Sequence, residues 1–128
     1  MKLSMLLLVT TLSAFSLSFK ASNVKTYRAN ISAYCTCERC CEKWSKYRTT
    51  ASGHKIKKGD RFVAMPREIP FHSTIEIPSY NNGKSVPVLD RGGAIKGNKI
   101  DVFFDSHSDA LKFGRRYETV KLTLKEKK

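Results

Sequence analysis

The sequence predicts a mainly β fold, a small six-stranded barrel carrying a short helix. Six short β-rich runs fall within one domain's length, and each is bounded by Gly, Pro or Asn. The one good helical pattern is short and sits near the C-terminus. A chain of 128 residues leaves room for one such domain plus a short extra segment, which excludes a multidomain machine. With 41% hydrophobic and 10% aromatic residues, the chain can repay the entropy of ordering itself, so disorder is excluded too.

The first strand is expected at 24–33, where Val24, Tyr27, Ala29, Ile31 and Ala33 fall on or near one face. Further strands are expected at 61–64, 74–77, 85–89, 100–104 and 119–124. Between the third and fourth, Tyr80-Asn81-Asn82-Gly83-Lys84 is a turn, because Asn and Gly tolerate positive φ. The helix is placed at 106–113. Asp105 or Ser106 can cap its free N–H groups, Ala110, Leu111 and Phe113 supply apolar contacts, and Gly114 can take the left-handed stop.

The N-terminus gives the compartment. Met1 and Lys2 precede an uncharged apolar run over 3–19 that ends in small polar residues, the pattern of a secretory signal peptide. Cleavage after Ser18 is the first choice and after Ala21 the second, so residues 1–18 are assigned to the signal, 24–124 to the domain and 125–128 to a basic tail. A retained anchor is disfavoured because Thr10, Thr11, Ser13, Ser16 and Ser18 interrupt the apolar run. A secreted or cell-envelope location follows, with no stable membrane insertion after cleavage.

The formal charge is +13, from 24 Lys plus Arg against 11 Asp plus Glu. Cleavage after Ser18 takes only Lys2 among the charged residues, so the excess belongs to the mature domain. Export places anionic wall polymers and head groups beside it, and with no RNA-binding or helix-turn-helix signature, nucleic acid drops out as a partner.

Cys35, Cys37, Cys40 and Cys41 form the string CTCERCC, with no other cysteine in the chain. In an exported protein this favours disulfides, which here would close small loops and stiffen the segment. A four-thiolate zinc site is the alternative; structural zinc usually draws its ligands from two separated segments, which counts against it. No metal or other cofactor is therefore expected. A redox-active CxxC is disfavoured because no helical pattern starts at Cys37.

The densest chemistry lies in LDRGGAIKGNKIDVFF, residues 89–104. Asp90 ends one expected strand and Asp101 lies within the next. The glycine loop between them can bring both to one barrel mouth, where Gly92, Gly93 and Gly97 permit close approach of a bulky ligand. Two neighbouring carboxylates suit glycoside cleavage, since one held protonated can donate to the glycosidic oxygen while the other offsets positive charge on the sugar. Taken singly, each aspartate would pass for an ordinary turn residue.

This string resembles the signature of the 3D domain, named for three aspartates, and is similar to the corresponding stretch of membrane-bound lytic transglycosylase A. Upstream, Ala33-Tyr34, Thr50-Ala51-Ser52-Gly53, Val63-Ala64 and Ile69-Pro70-Phe71 resemble the family's landmarks in order, so the resemblance covers about residues 31–122. It implies a double-psi β-barrel, and cleavage of the peptidoglycan glycan strand; one or two short helices and a monomer are expected. Asp90 and Asp101 match the family's second and third aspartates, and Asp101 is the expected catalytic acid. Thr50, Lys96 and Asn98 are further expected sugar contacts, beside Gly92 and Gly93.

One departure stands out. Where the family has an aspartate before proline, this chain reads Met65-Pro66-Arg67-Glu68-Ile69-Pro70, so that carboxylate's task is lost or passes to Glu68. The departure keeps open an alternative, a noncatalytic, expansin-like wall-binding protein. His72 replaces a frequent family glycine and, like His54 and His107, is expected to be a surface residue.

Overall fold

The computed structural model describes Ala14 and residues 23–128, so apart from Ala14 the expected signal peptide lies outside the described residues. The six strands are β1 (Val24–Tyr34), β2 (Val63–Ala64), β3 (Thr74–Glu76), β4 (Val86–Asp90), β5 (Lys99–Phe103) and β6 (Arg116–Thr123). They close in one ring, in the order β1-β5-β2-β4-β3-β6. Each expected strand is present with shifted ends.

Alternation explains which side chains fill the ring. In β1, Ala29 and Ile31 are fully buried while Arg28 is exposed, and in β6 Val120 and Leu122 point inward between exposed neighbours. Ile75, Val86, Val88, Ile100 and Val102 complete the same core. Each such side chain contributes about 1.5–3 kcal/mol by leaving water, so a one-residue slip in any strand would cost several of these at once.

Two pairings are parallel and position the site. In β1 and β5 the partners are Ser32↔Asp101 and Tyr34↔Phe103, and β2 pairs in parallel with β4 while running antiparallel to β5. A second small core of Phe62, Leu89 and Phe103 lies beneath the site end of these strands, with Phe62 and Phe103 stacked at 4.5 Å between ring centroids. The buried Tyr80 hydroxyl donates to the Phe103 carbonyl at 2.5 Å, fixing the end of β5.

The turn and helix follow the expected chemistry. Asn81, Asn82 and Gly83 all take positive φ in a 3₁₀ turn joining β3 to β4. The later helix, α2 (His107–Phe113), is capped by Ser106, whose hydroxyl accepts from the Asp109 N–H at 3.2 Å, and it stops at Gly114 with φ +67°. Asp105 is turned elsewhere, accepting from the Gly59 N–H at 2.8 Å.

The cysteine segment departs from expectation. A one-turn helix, α1 (Glu38–Cys41), starts directly after Cys37 and runs into a 3₁₀ turn over Glu42–Tyr47. Its start is stabilised by backbone bonds, with the Cys40 and Cys41 N–H groups both donating to the Cys37 carbonyl, rather than by the apolar periodicity that announces a longer helix.

Candidate functional site

A cleft of about 610 Å³ opens at the end of the barrel where β1, β2, β4 and β5 meet. Asp90, the last residue of β4, and Asp101, the middle of β5, both line it. β2 lies between them, and Ala64 is in register with each aspartate. Because Ala64 is small, the space between the two carboxylates stays open.

The two acids have different surroundings. Asp101 is half-buried and accepts a hydrogen bond from the Ser32 hydroxyl at 3.1 Å. Its burial, reinforced by the negative charge of Asp90, pushes its pKa up to about 6, against the opposing pull of the Ser32 bond and Arg115. Asp90 instead accepts from three donors: the Tyr34 hydroxyl at 2.5 Å and the N–H groups of Ala51 and Arg91, each at 2.9 Å. Burial raises the Tyr34 phenol, and Asp90 raises it further, so Tyr34 keeps its proton and stays a donor.

Three of these partners went unnoticed as site residues in the sequence. Tyr34 ends β1 and is held edge-on to Phe103 at 5.8 Å, Ser32 reaches Asp101 only because β1 and β5 run parallel, and Ala51 contributes backbone alone. The Ala33-Tyr34 and Thr50-Ala51-Ser52-Gly53 landmarks are the sequence signals for Tyr34 and Ala51, and Ser32 has none. Arg91 clamps the preceding loop: its guanidinium donates to the carbonyls of Met65 and Ile69 at 3.3 and 2.5 Å and lies 3.9 Å from the centre of the Phe71 ring.

Of the expected sugar contacts, Thr50, Gly92 and Gly93 line the cleft. The Thr50 hydroxyl is engaged within its own turn, with Ser52 at 2.9 Å and the His54 N–H at 3.2 Å. Lys96 and Asn98 are exposed and outside the lining; the Asn98 amide faces the Arg28 carbonyl on β1.

Met65 is 1% exposed and belongs to the barrel core, while Glu68 is exposed and outside the cleft lining, so Glu68 does not replace the missing carboxylate there. His72 has φ +67°, a conformation glycine adopts freely, which explains why glycine suits this position. His54 pairs with Asp60 at 2.7 Å rather than facing solvent alone.

The cysteines require a correction. All four thiols are free: Cys35, Cys37 and Cys40 gather around the ring of His107, while Cys41 turns away to donate to the Cys35 carbonyl at 3.2 Å and to line the cleft. His107 is therefore no isolated surface residue. The thiols differ electrostatically: the bond from Cys35 lowers the Cys37 pKa to about 6, whereas burial pushes Cys35 up to about 12 and Cys41 to about 11.

The sequence matches the 3D domain over residues 61–124, half of the chain, running from β2 to β6 and including both aspartates. The chain belongs to the 3D domain family. The upstream landmarks at Ala33-Tyr34 and residues 50–53 lie outside the matched stretch of the 3D domain.

Among proteins of Bacillus subtilis strain 168, the SPbeta prophage-derived uncharacterized protein YorM is 31% identical over 105 residues, covering 80% of this chain and 44% of its own length. The cell wall-binding protein YocH is 40% identical over 76 residues, covering 57% of this chain and 25% of its own. This 3D domain chain thus spans less than half the length of these relatives. Among solved structures, Escherichia coli MltA, a lytic transglycosylase, aligns with a TM-score of 0.46 at 24% identity, covering 61% of this chain and 28% of MltA. Among the described residues, no helix is long and apolar enough to cross a membrane.

Proposed function

We propose that this protein is an exported lytic transglycosylase that cleaves the peptidoglycan bond between N-acetylmuramic acid and N-acetylglucosamine. The observation that carries this reading is Asp101, half-buried in a cleft shared with Asp90, whose pKa is pushed up to about 6. A carboxylic acid so poised is suited to general-acid work.

In this reading Asp101 protonates the bridging oxygen as the glycosidic bond breaks. The resulting carboxylate then accepts the proton of the muramic acid C6 hydroxyl as that oxygen attacks C1 and closes the 1,6-anhydro ring. The nucleophile belongs to the substrate, which gives it the advantage of an intramolecular reaction. Asp90, fixed by Tyr34, Ala51 and Arg91, faces the positive charge that develops on the sugar. Gly92 and Gly93 let the glycan approach the loop closely. The basic surface favours the anionic wall, and the N-terminal apolar run favours export. Closure of six strands with two parallel pairs supports the double-psi topology that the family resemblance implies.

A second reading, a noncatalytic wall-binding protein, is favoured by Met65, an apolar core residue in the place of the family's first aspartate. The name of YocH, a cell wall-binding protein, agrees with it. Mass spectrometry of digested glycan strands separates the two. Anhydro-muropeptides released by the wild type and lost with Asp101→Asn support the enzyme; reducing-end products would indicate hydrolysis, and binding without products would establish the second reading.

A further inference from the structure

At the edge of the cleft, which Cys40 lines, a second cluster joins residues far apart in sequence. The Nδ1 atom of His107 lies 3.8, 3.4 and 3.5 Å from the sulfurs of Cys35, Cys37 and Cys40, and the Cys35 sulfur lies 2.9 and 3.5 Å from those of Cys37 and Cys40. All four atoms fall within 4.8 Å of one another. We propose that Cys35, Cys37, Cys40 and His107 form a structural zinc site that fixes one wall of the cleft.

The geometry fits zinc closely. Tetrahedral zinc, with bonds of about 2.3 Å to sulfur and about 2.05 Å to nitrogen, places its ligands about 3.8 Å apart for S···S and about 3.6 Å for S···N. The three sulfur-to-nitrogen distances already match that spacing. The two sulfur-to-sulfur edges from Cys35 are short, so the one to Cys40 needs to open by roughly 0.3 Å and the one to Cys37 by roughly 0.9 Å to reach the tetrahedral value. Three soft thiolates and one imidazole are donors that zinc prefers over magnesium or calcium. Four protein ligands leave no open position, so the site is structural rather than catalytic.

The fold also removes the strain that counts against four ligands drawn from one short segment. β1 and β5 run parallel with Tyr34 beside Phe103, and the Phe104 N–H donates to the Tyr34 carbonyl at 2.8 Å. Both chains therefore leave the barrel at the same point: one turns into the cysteine segment, and the other delivers His107 over it as the first residue of α2. The CxxC pair comes from the N-cap and the single turn of α1, Cys37 and Cys40, and the fourth ligand from a separate element. Cys40, with Cys41, Glu42 and Tyr47 further along the segment, lines the same cleft as Asp101, so the metal would hold that wall to the element that follows β5. This site is independent of whether the cleft cleaves or only binds glycan.

The test uses the whole chain, expressed and refolded under reducing conditions with zinc as the only added metal. Elemental analysis after desalting is expected to show stoichiometric zinc. His107→Ala, Cys37→Ser and Cys40→Ser should each weaken zinc retention by more than the roughly tenfold to hundredfold typical of losing an outer-shell partner, while Cys41→Ser should retain it. X-ray absorption at the zinc edge of the unmutated protein should give three sulfur ligands and one nitrogen, a readout that no misfolded variant can confuse. Chelation should expose the 35–47 segment to protease. Four sulfur ligands, zinc lost with Cys41→Ser but kept with His107→Ala, or a folded protein that carries no zinc would each overturn the proposal.

Discussion

Asp90 and Asp101 lie on strands that never pair with each other, yet both are in register with the same residue, Ala64 of β2. The intervening strand holds the carboxylates across a small side chain, near enough that the charge of Asp90 raises the pKa of Asp101. Their different hydrogen-bond partners then divide the roles, and this division can be tested.

The pH profile should respond to Asp90. Activity that needs protonated Asp101 falls as pH rises through about 6, the pKa of that group. Asp90→Asn removes the negative charge that helps to hold the proton, so the falling limb should move to lower pH. Asp101→Asn should reduce turnover by about 10²–10⁴-fold below pH 6, where the wild-type acid is protonated, while binding survives. Initial rates on purified glycan strands check both, and an unmoved limb in Asp90→Asn would break the link.

Asp101 should also cost stability. Its folded pKa of about 6 lies above its unfolded value of about 3.9, so between these two pH values the folded state binds more protons than the unfolded one. Stability therefore declines as pH rises through this window, and the penalty is complete above it. Asp101→Asn keeps an acceptor for Ser32 and should stabilise the protein at neutral pH by up to about 2 kcal/mol, with little gain near pH 4. Urea unfolding at the two pH values measures the difference.

Tyr34→Phe deletes one of the three donors to Asp90 and leaves the ring packed against Phe103. A hydrogen bond to a charged group contributes about 1.5–3 kcal/mol, and the variant should lose an amount near the lower end because two backbone donors remain. Denaturant unfolding reports the loss. Unchanged stability would mean that the hydroxyl does not hold Asp90.

Met65→Asp should fail to improve activity. Met65 is buried among the core residues and outside the cleft lining, so the new carboxylate would have no partner and no route to substrate. A loss of about 3 kcal/mol or more is expected, as for other unpaired buried charges. A stable Met65→Asp variant with raised turnover would contradict this placement.

The glycine loop should separate contact from bystander. A Cβ at Gly93 meets nothing within 4 Å, so Gly93→Ala folds normally while narrowing the cleft it lines. Sedimentation with insoluble peptidoglycan should show weaker binding for Gly93→Ala. Lys96→Ala and Asn98→Ala, both outside the lining, should bind almost as the wild type does at moderate salt.

The sequence alone determined what is local. Period-two alternation located the strands, Asn-Gly placed the turn before β4, and Ser106 with Gly114 bounded α2, because burial faces and backbone preferences act over a few residues. The 89–104 string likewise disclosed both aspartates. Only the tertiary structure decided the order of strands in the ring, the unequal environments of Asp90 and Asp101, the burial of Met65, and the position of Lys96 and Asn98 outside the cleft lining. It also brought His107 to the cysteines, which no local pattern signals. The physical reason is that each of these depends on pairings such as Tyr34↔Phe103, between residues far apart in the chain, and such pairings are selected by burying the whole core at once rather than by the propensity of any segment.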